Sequence, residues 1–314
     1  MPLMTQRQIQ ITFLRDGAYA IADLLEGAAP NTVEAIVAAL PFGGFAHHAV
    51  YSGSEGVLIL PELLKVGAEN ATADVTVGDI GFTWFDTASS DAVTDPFAEI
   101  CWFYGEDAQP SMPEGPVPVS LFARIRQECG FAAASKRLSI EGREIITVEL
   151  VPGPDAPITH VRHRPIHLEP HNRAYGPRLG TSGGAVYATF SEAPCHSDPT
   201  LTDSRTIHRA VSLQDDGWAL DALPGAFGEV TGASFDGVSV SVSACPQGVE
   251  ANIDGNTELL RYLPCSDVGV PAVMHLGEGR FMAVYHAAAT AGTSAPSDEI
   301  SIQSTTFRIR QEAL

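Results

Sequence analysis

The sequence predicts a mainly β protein of two β-rich domains, residues 1–130 and 131–314. The first is expected to be a small β-barrel plugged by one helix, the second a sandwich or another barrel. Three observations lead there. Short apolar runs separated by Gly, Asp and Pro turns recur along most of the chain, as strands do. A helical period stands out at one early place, where Val33, Ile36, Val37 and Leu40 fall at i, i+3, i+4 and i+7. Finally, 314 residues suffice for two cores of ordinary size.

Taken in order, QIQITFLR and AYAIADLL flank Asp16-Gly17, a strong hairpin signal. The helix follows in PNTVEAIVAALPF, with Asn31 as its expected cap, Glu34 reaching back as in a capping box, and Pro41, Gly43 and Gly44 ending it. FAHHAVYSGSEGVLILPE reads as a second hairpin turning at residues 52–56. Residues 72–86, 97–104 and 119–125 are strand-like, with Gly78-Asp79 in a turn and the proline-rich QPSMPEGPVP as a surface loop. Hairpin, helix, then antiparallel strands is the order of a plugged barrel.

Residues 126–136 form the expected junction, and RLSI-EG-REIITVELV reads as a hairpin opening the second domain. Farther on, GTSGG at 180–184 is a flexible turn before the strand AVYATF; an exposed Ser182 nucleophile or an anion nest are the functional alternatives. Residues 192–206 read as loop, and the adjacency of Cys195 and His196 argues for nothing, because catalytic Cys–His pairs come from separate segments. From Trp218 onward, GVSVSVSAC, ELLRYLPC, PAVMHLGEG, RFMAVYHAA and EISIQSTTFRIR alternate with turns, and no repeat period emerges.

Charge limits the partners. A net charge of −20 argues against nucleic acid and anionic membrane surfaces. No apolar run reaches the roughly 18 residues of a membrane span. Half of the 18 cationic residues lie between Arg124 and Arg178, so a pocket there would draw a small anionic substrate or ligand. The start, MPLMTQRQIQITF, shows no signal peptide, and five scattered cysteines without a CxxC suit reduced thiols in a cytoplasm. A homo-oligomer remains open.

The densest chemistry is at residues 159–178, THVRHRPIHLEPHNRAYGPR, with four of the ten histidines among four arginines. On an extended chain His163, His167, Glu169 and His171 share one face, opposite His160, Arg162 and Arg164. Three imidazoles and a carboxylate suit zinc or iron. Pro165 and Pro170 point instead to an edge strand or a solvated connection, and no HExxH-type spacing is present. Metal-free acid/base or anion-binding duty is the third reading. No large cofactor is expected, since dinucleotide, P-loop and pyridoxal-type signatures are missing.

Within residues 8–126, LPFGGFAHHAVYSG-SEG, LLKVGAENATADVTVGDI, ICWFYG and PVSLFARI resemble the cyclophilin-like DUF3830 family. More distantly they are similar to the N-terminal domain of cucumopine synthases, opine-forming enzymes that condense histidine with 2-oxoglutarate. The resemblance implies a cyclophilin-like barrel and singles out His48, Gly53, Glu55 and Tyr104-Gly105 around its mouth. It does not imply prolyl isomerisation, because the arginine beside phenylalanines and the QGGD-like run of true cyclophilins are absent.

These residues favour a small-molecule enzyme of lyase or synthase type. It would make or break C–N or C–C bonds of a carboxylate-bearing, nitrogen-containing metabolite. His48, Tyr104, His163 and His167 are the expected catalytic groups, with Tyr104 and Tyr175 as donors to a developing oxyanion. Glu55, Arg162, Arg164, Tyr175 and Arg178 would bind the substrate, the arginines through bidentate contacts. Two other classes stay open: a non-catalytic ligand-binding or assembly protein, and a metal-dependent amidohydrolase on the 163–171 face.

Overall fold

The structure, a computed structural model, describes residues 6–153, 155–167, 172–182, 185–194, 206–212, 218–221, 228–229, 233–235, 237–263, 268–269, 271–288 and 300–310. It divides into two compact units, Met1–Val151 and Pro152–Leu314.

The first unit runs β1 (Gln8–Phe13), β2 (Tyr19–Leu24), α1 (Pro30–Ala39), β3 (Phe42–His48), β4 (Glu55–Ile59), β5 (Ala71–Thr72), β6 (Asp79–Phe85) and β7 (Phe97–Phe103). It continues with β8 (Ser111–Met112), β9 (Gly115–Pro116), β10 (Val119–Cys129), α2 (Phe131–Glu141) and β11 (Arg143–Leu150). Eight strands in the order β2-β1-β11-β3-β4-β7-β6-β10 close into a barrel, because β10 also pairs with β2. Alternation fills the interior with Ile9, Ile11, Phe13, Leu58, Ile100 and Trp102, all 0–1% exposed. Gly56 lies opposite Trp102 in register, where a Cβ would collide with the indole ring.

Two helices cap this barrel, where the sequence suggests one. On α1, Val33 and Ile36 enter the core. Its cap is not Asn31: Pro30 opens the helix, and the Glu69 carboxylate, from a distant loop, accepts the Asn31 and Thr32 N–H groups at 3.3 and 2.8 Å. A carboxylate there also meets the positive end of the helix dipole. On α2, Phe131, Ala134 and Leu138 fall at i, i+3 and i+7 and pack into the same core. Phe131 meets Phe13 and Trp102 at centroid distances of 5.5 and 5.8 Å. Ser135 Oγ accepts the Trp102 indole N–H at 2.8 Å. Arg137 forks onto Glu144 of β11 at 2.7 and 3.0 Å and reaches Asp16 of the first hairpin at 2.8 Å. RLSI is therefore the last part of a helix and not a strand, and β11 belongs to the barrel between β1 and β3. The boundary expected at 130 falls inside this unit, since the ring closes only when residues 143–150 are included.

The second unit contains β12 (Ile158–His167), β13 (Asn172–Ser182), β14 (Ala185–Pro194), β15 (Thr206–Ser212), β16 (Trp218–Asp221), β17 (Gly228–Glu229) and β18 (Ala233–Phe235). After these come β19 (Val238–Cys245), β20 (Gly248–Ile253), β21 (Asn256–Tyr262), β22 (Ala272–Gly277), β23 (Arg280–Ala288) and β24 (Ile300–Ile309). Strands β16-β15-β14-β13-β24-β23-β22 form one sheet, with β12 also on β24 and β17 on β13; β18 to β21 form an antiparallel meander. The core on the large sheet gathers Phe190, Met274, Met282, Val284 and Ile302. Among the described residues no helix is long and apolar enough to cross a membrane.

Candidate functional site

The first unit offers a cavity of about 590 Å³ lined by His48, Gly53, Ser54, Tyr104, Gly105, Asp107, Ala132, Ala133, Lys136 and Ser139. Three pieces of chain build it. His48 is the last residue of β3, where pairing with β4 stops after Gly56. The β3–β4 loop turns back so that Glu55 O accepts the Ala49 N–H at 3.0 Å. The segment after β7 is held to that loop by Tyr104 N–H to Ser54 O and Gln109 N–H to Ser52 O, at 3.0 and 2.9 Å. Helix α2 supplies the third wall.

Two glycines let these loops meet. Gly53 has φ +67°, a left-handed conformation, and a Cβ on it would strike the Asp107 carbonyl. A Cβ on Gly105 would lie 2.5 Å from Ser54 Oγ and 2.9 Å from Asp107 Oδ1. Tyr104 Oη and His48 Nδ1 are 3.1 Å apart. Burial raises the Tyr104 phenol above its ordinary value despite the Ser54 hydrogen bond, and the Asp107 charge adds to the rise. Asp107 is held below the usual carboxylate range, chiefly by its hydrogen bond with Ser54 and with help from His48. The wall thus presents an imidazole, a phenol, an anion and the exposed Lys136 ammonium.

His48 and Tyr104 meet as sequence reasoning expects, but Glu55 does not join them. Strand alternation turns it to the face of β4 that carries Val57, and it is 2% exposed. It sits by Ser52 and Cys101, its Oε2 has no hydrogen-bond partner, and burial pushes its carboxyl up to about 7. Glu99 is pushed up to about 8 by burial and then by the Glu55 charge. Lys136 and Ser54 escaped sequence reasoning. The Lys136 signal lay in the 3-4 spacing of Phe131, Ala134 and Leu138, which places Ala132, Ala133, Lys136 and Ser139 on the other side of α2.

The remaining expected residues belong to the second unit. His163 is buried, with Nδ1 2.9 Å from Thr305 Oγ1, which is itself 2.8 Å from Tyr285 Oη. Burial, and then the Arg261 charge, holds His163 well below its ordinary value, so the imidazole is neutral. The face expected to join His163 and His167 includes a side chain outside the described residues. A bulge between Pro165 and His167 sets position 163 opposite Thr305 and position 167 opposite Ile302, three residues apart on an unbroken partner strand. Arg162 and Arg178 are exposed and Arg164 half-buried. The side chains of His167, Tyr175 and Ser182 lie outside the described residues, as do Glu169, His171, Gly183, Gly184, Cys195 and His196. Among the described residues no group of three or more His, Cys, Asp or Glu side chains is arranged to hold a metal. Cys101 and Cys245 are free thiols.

The strand ring, its two helices and the loop-zipped mouth coincide with a family match. Residues 11–149 match DUF3830, described as a protein of unknown function. The DUF3830 stretch runs from within β1 to within β11, so it takes in both helices and the whole cavity wall. Among solved structures, McbB in complex with tryptophan is similar with TM-score 0.35 and 15% identity, over 45% of this chain and 44% of that one. A hypothetical protein from Archaeoglobus fulgidus, known from a solution structure, is similar with TM-score 0.33 and 22% identity, over 48% of this chain and 98% of that one. This chain thus spans under half the length of McbB. No curated protein matches.

Proposed function

We propose that the DUF3830 barrel is a small-molecule enzyme in which His48 moves a proton to or from a metabolite bearing a carboxylate and a nitrogen. The observation that carries this reading is the Tyr104–His48 contact of 3.1 Å on a cavity that also holds Lys136 and Asp107. An imidazole changes protonation near neutral pH, and a phenol beside it can stabilise a developing oxyanion. Opposite charges on one cavity complement an amino-acid zwitterion, the carboxylate toward Lys136 and the amine toward Asp107. Carboxylate binding, assigned by sequence to the arginines of residues 162–178, passes to Lys136 in this reading. Proton transfer at that position serves making or breaking of a C–N or C–C bond, in keeping with the resemblance to opine-forming enzymes.

The test is a titration of the intact protein with amino acids and 2-oxo acids, singly and in pairs, following NMR signals of cavity residues and consumption of the 2-oxo acid. Binding should weaken about ten- to a hundredfold in Lys136→Ala, the worth of one charge-assisted contact. Turnover should fall roughly 10²–10⁴-fold in His48→Gln with binding kept. Saturable binding without turnover would leave a ligand-binding protein, and no response of the cavity to either class would refute the proposal.

A further inference from the structure

Glu55 stands beside the cavity without a part in it. It lies on the outside of the barrel, yet it is 2% exposed and its Oε2 has no hydrogen-bond partner. The register sets it opposite Phe103 and sets Val57, on the same face of β4, opposite Cys101. Cys101 and Phe103 are fully buried, and Val57, Val75 and Ala108 pack against them. Ala108 belongs to the segment that follows β7. That segment is fastened to the β3–β4 turn by Gln109 N–H to Ser52 O at 2.9 Å and Ser111 N–H to Ser52 Oγ at 3.0 Å. The Ser52 hydroxyl donates in turn to Ser111 O at 3.3 Å. The same segment carries Tyr104, Gly105 and Asp107 of the cavity wall. One piece of chain therefore covers the buried carboxyl and builds the mouth.

A carboxyl buried without a cation either keeps its proton or admits water. Among the described residues, the groups around Glu55 are neutral, acidic or engaged elsewhere. On β7, burial pushes the Cys101 thiol well above its ordinary value, and Glu99 is a second carboxyl raised by burial and then by the Glu55 charge. On β3, burial and then the Arg143 charge hold His47 below its ordinary value, while Arg143 itself lies over the Phe45 ring at 4.3 Å. On β6, beyond Phe103, Asp79 holds Arg124 at 2.6 Å. Glu106 and Asp107 of the covering segment are exposed. We infer that Glu55 is a pH-sensitive latch on the cavity mouth: protonated, it lets the 105–111 segment close over the outer wall, and ionised, it draws in water and loosens that segment. Tyr104 and Asp107 move with the segment, so the wall around His48 is firm on the acid side of neutrality and slack on the alkaline side. The turning point is near pH 7, where burial sets the Glu55 carboxyl. The bearing on ligands rests on the reading of the cavity as a His48 acid–base site; the opening itself does not.

Amide hydrogen exchange of the full chain, corrected for the intrinsic effect of pH, reads the latch without any ligand. From pH 7 to 9 the protection of the Gln109 and Ser111 amides should fall by up to about tenfold per pH unit, the slope of one proton released per opening. These amides should stay less protected than those of the β1–β11 ladder throughout, which marks the opening as local. Glu55→Gln should hold their protection constant over the same range, and Glu99→Gln should keep the fall. Wild-type protection that is flat with pH overturns the inference, as does exchange of Gln109 and Ser111 only together with the ladder. A fall that survives in folded Glu55→Gln, or that vanishes in Glu99→Gln instead, overturns it too. Amino acids and 2-oxo acids that leave His48 signals unperturbed at pH 6 and pH 8.5 alike would refute the functional reading separately, with the exchange result standing.

Discussion

At the scale of single residues, the outer face of β4 and β7 holds the least expected chemistry. Glu55 and Glu99 have carboxyls pushed up to about 7 and about 8, in each case first by burial. In the unfolded chain a glutamate ionises near its ordinary value, so between that value and the folded one the native state holds protons that unfolding releases. Their contribution to stability is complete at low pH and is lost as pH rises through about 7 and 8. His163, held low by burial, acts the other way, but only below the ordinary imidazole range. The clean window is therefore pH 6.5 to 9. Across it we expect denaturant-derived stability to fall by roughly 1–3 kcal/mol, and by somewhat less in Glu55→Gln, where Glu99 keeps the rise that its own burial causes. A wild-type curve that rises or stays flat there would contradict buried, proton-holding carboxyls.

At the scale of elements, α2 separates what the sequence discloses from what it hides. Residues 137–140 read RLSI, where Leu138 and Ile140 alternate as in a strand. In the structure Leu138 is 1% exposed and Ile140 78%, so only the helical period buries anything. Leu138→Ala should cost about 2–5 kcal/mol by leaving a hole beside the barrel core. Ile140→Ala should stay within about 0.5 kcal/mol. Equal costs in chemical denaturation would disprove the helix. The β1–β2 hairpin, the first helix and the β3–β4 hairpin were legible because Asp16-Gly17 and the spacing of Val33 and Ile36 are local signals. His48 and Tyr104 were legible for a similar reason, as titratable groups at strand ends. Lys136 was hidden with its helix. The Glu69 cap and the close approach of Gly53 to Asp107 join residues far apart in the chain, which no local pattern records.

At the scale of the molecule, each unit has its own core. Residues 1–151 expressed alone should therefore unfold in one cooperative transition, followed by near-ultraviolet circular dichroism. Residues 1–130 should not, because β1 and β3 would lose β11, the strand between them, and the core would lose Phe131, Ala134 and Leu138. A cooperative transition from the shorter chain would refute the place given to β11.

The closed ring has one more consequence. A sheet that returns on itself has no first or last strand, so among its eight members none presents a free ladder of amides and carbonyls to a second molecule. Self-templated stacking, the ordinary hazard of β proteins at high concentration, finds no ready seed there. The same closure limits how the molecule can breathe. Parting two ring strands would break a whole ladder of backbone hydrogen bonds, so the mouth beside His48 widens or narrows through the 49–54 and 104–109 loops and the tilt of α2.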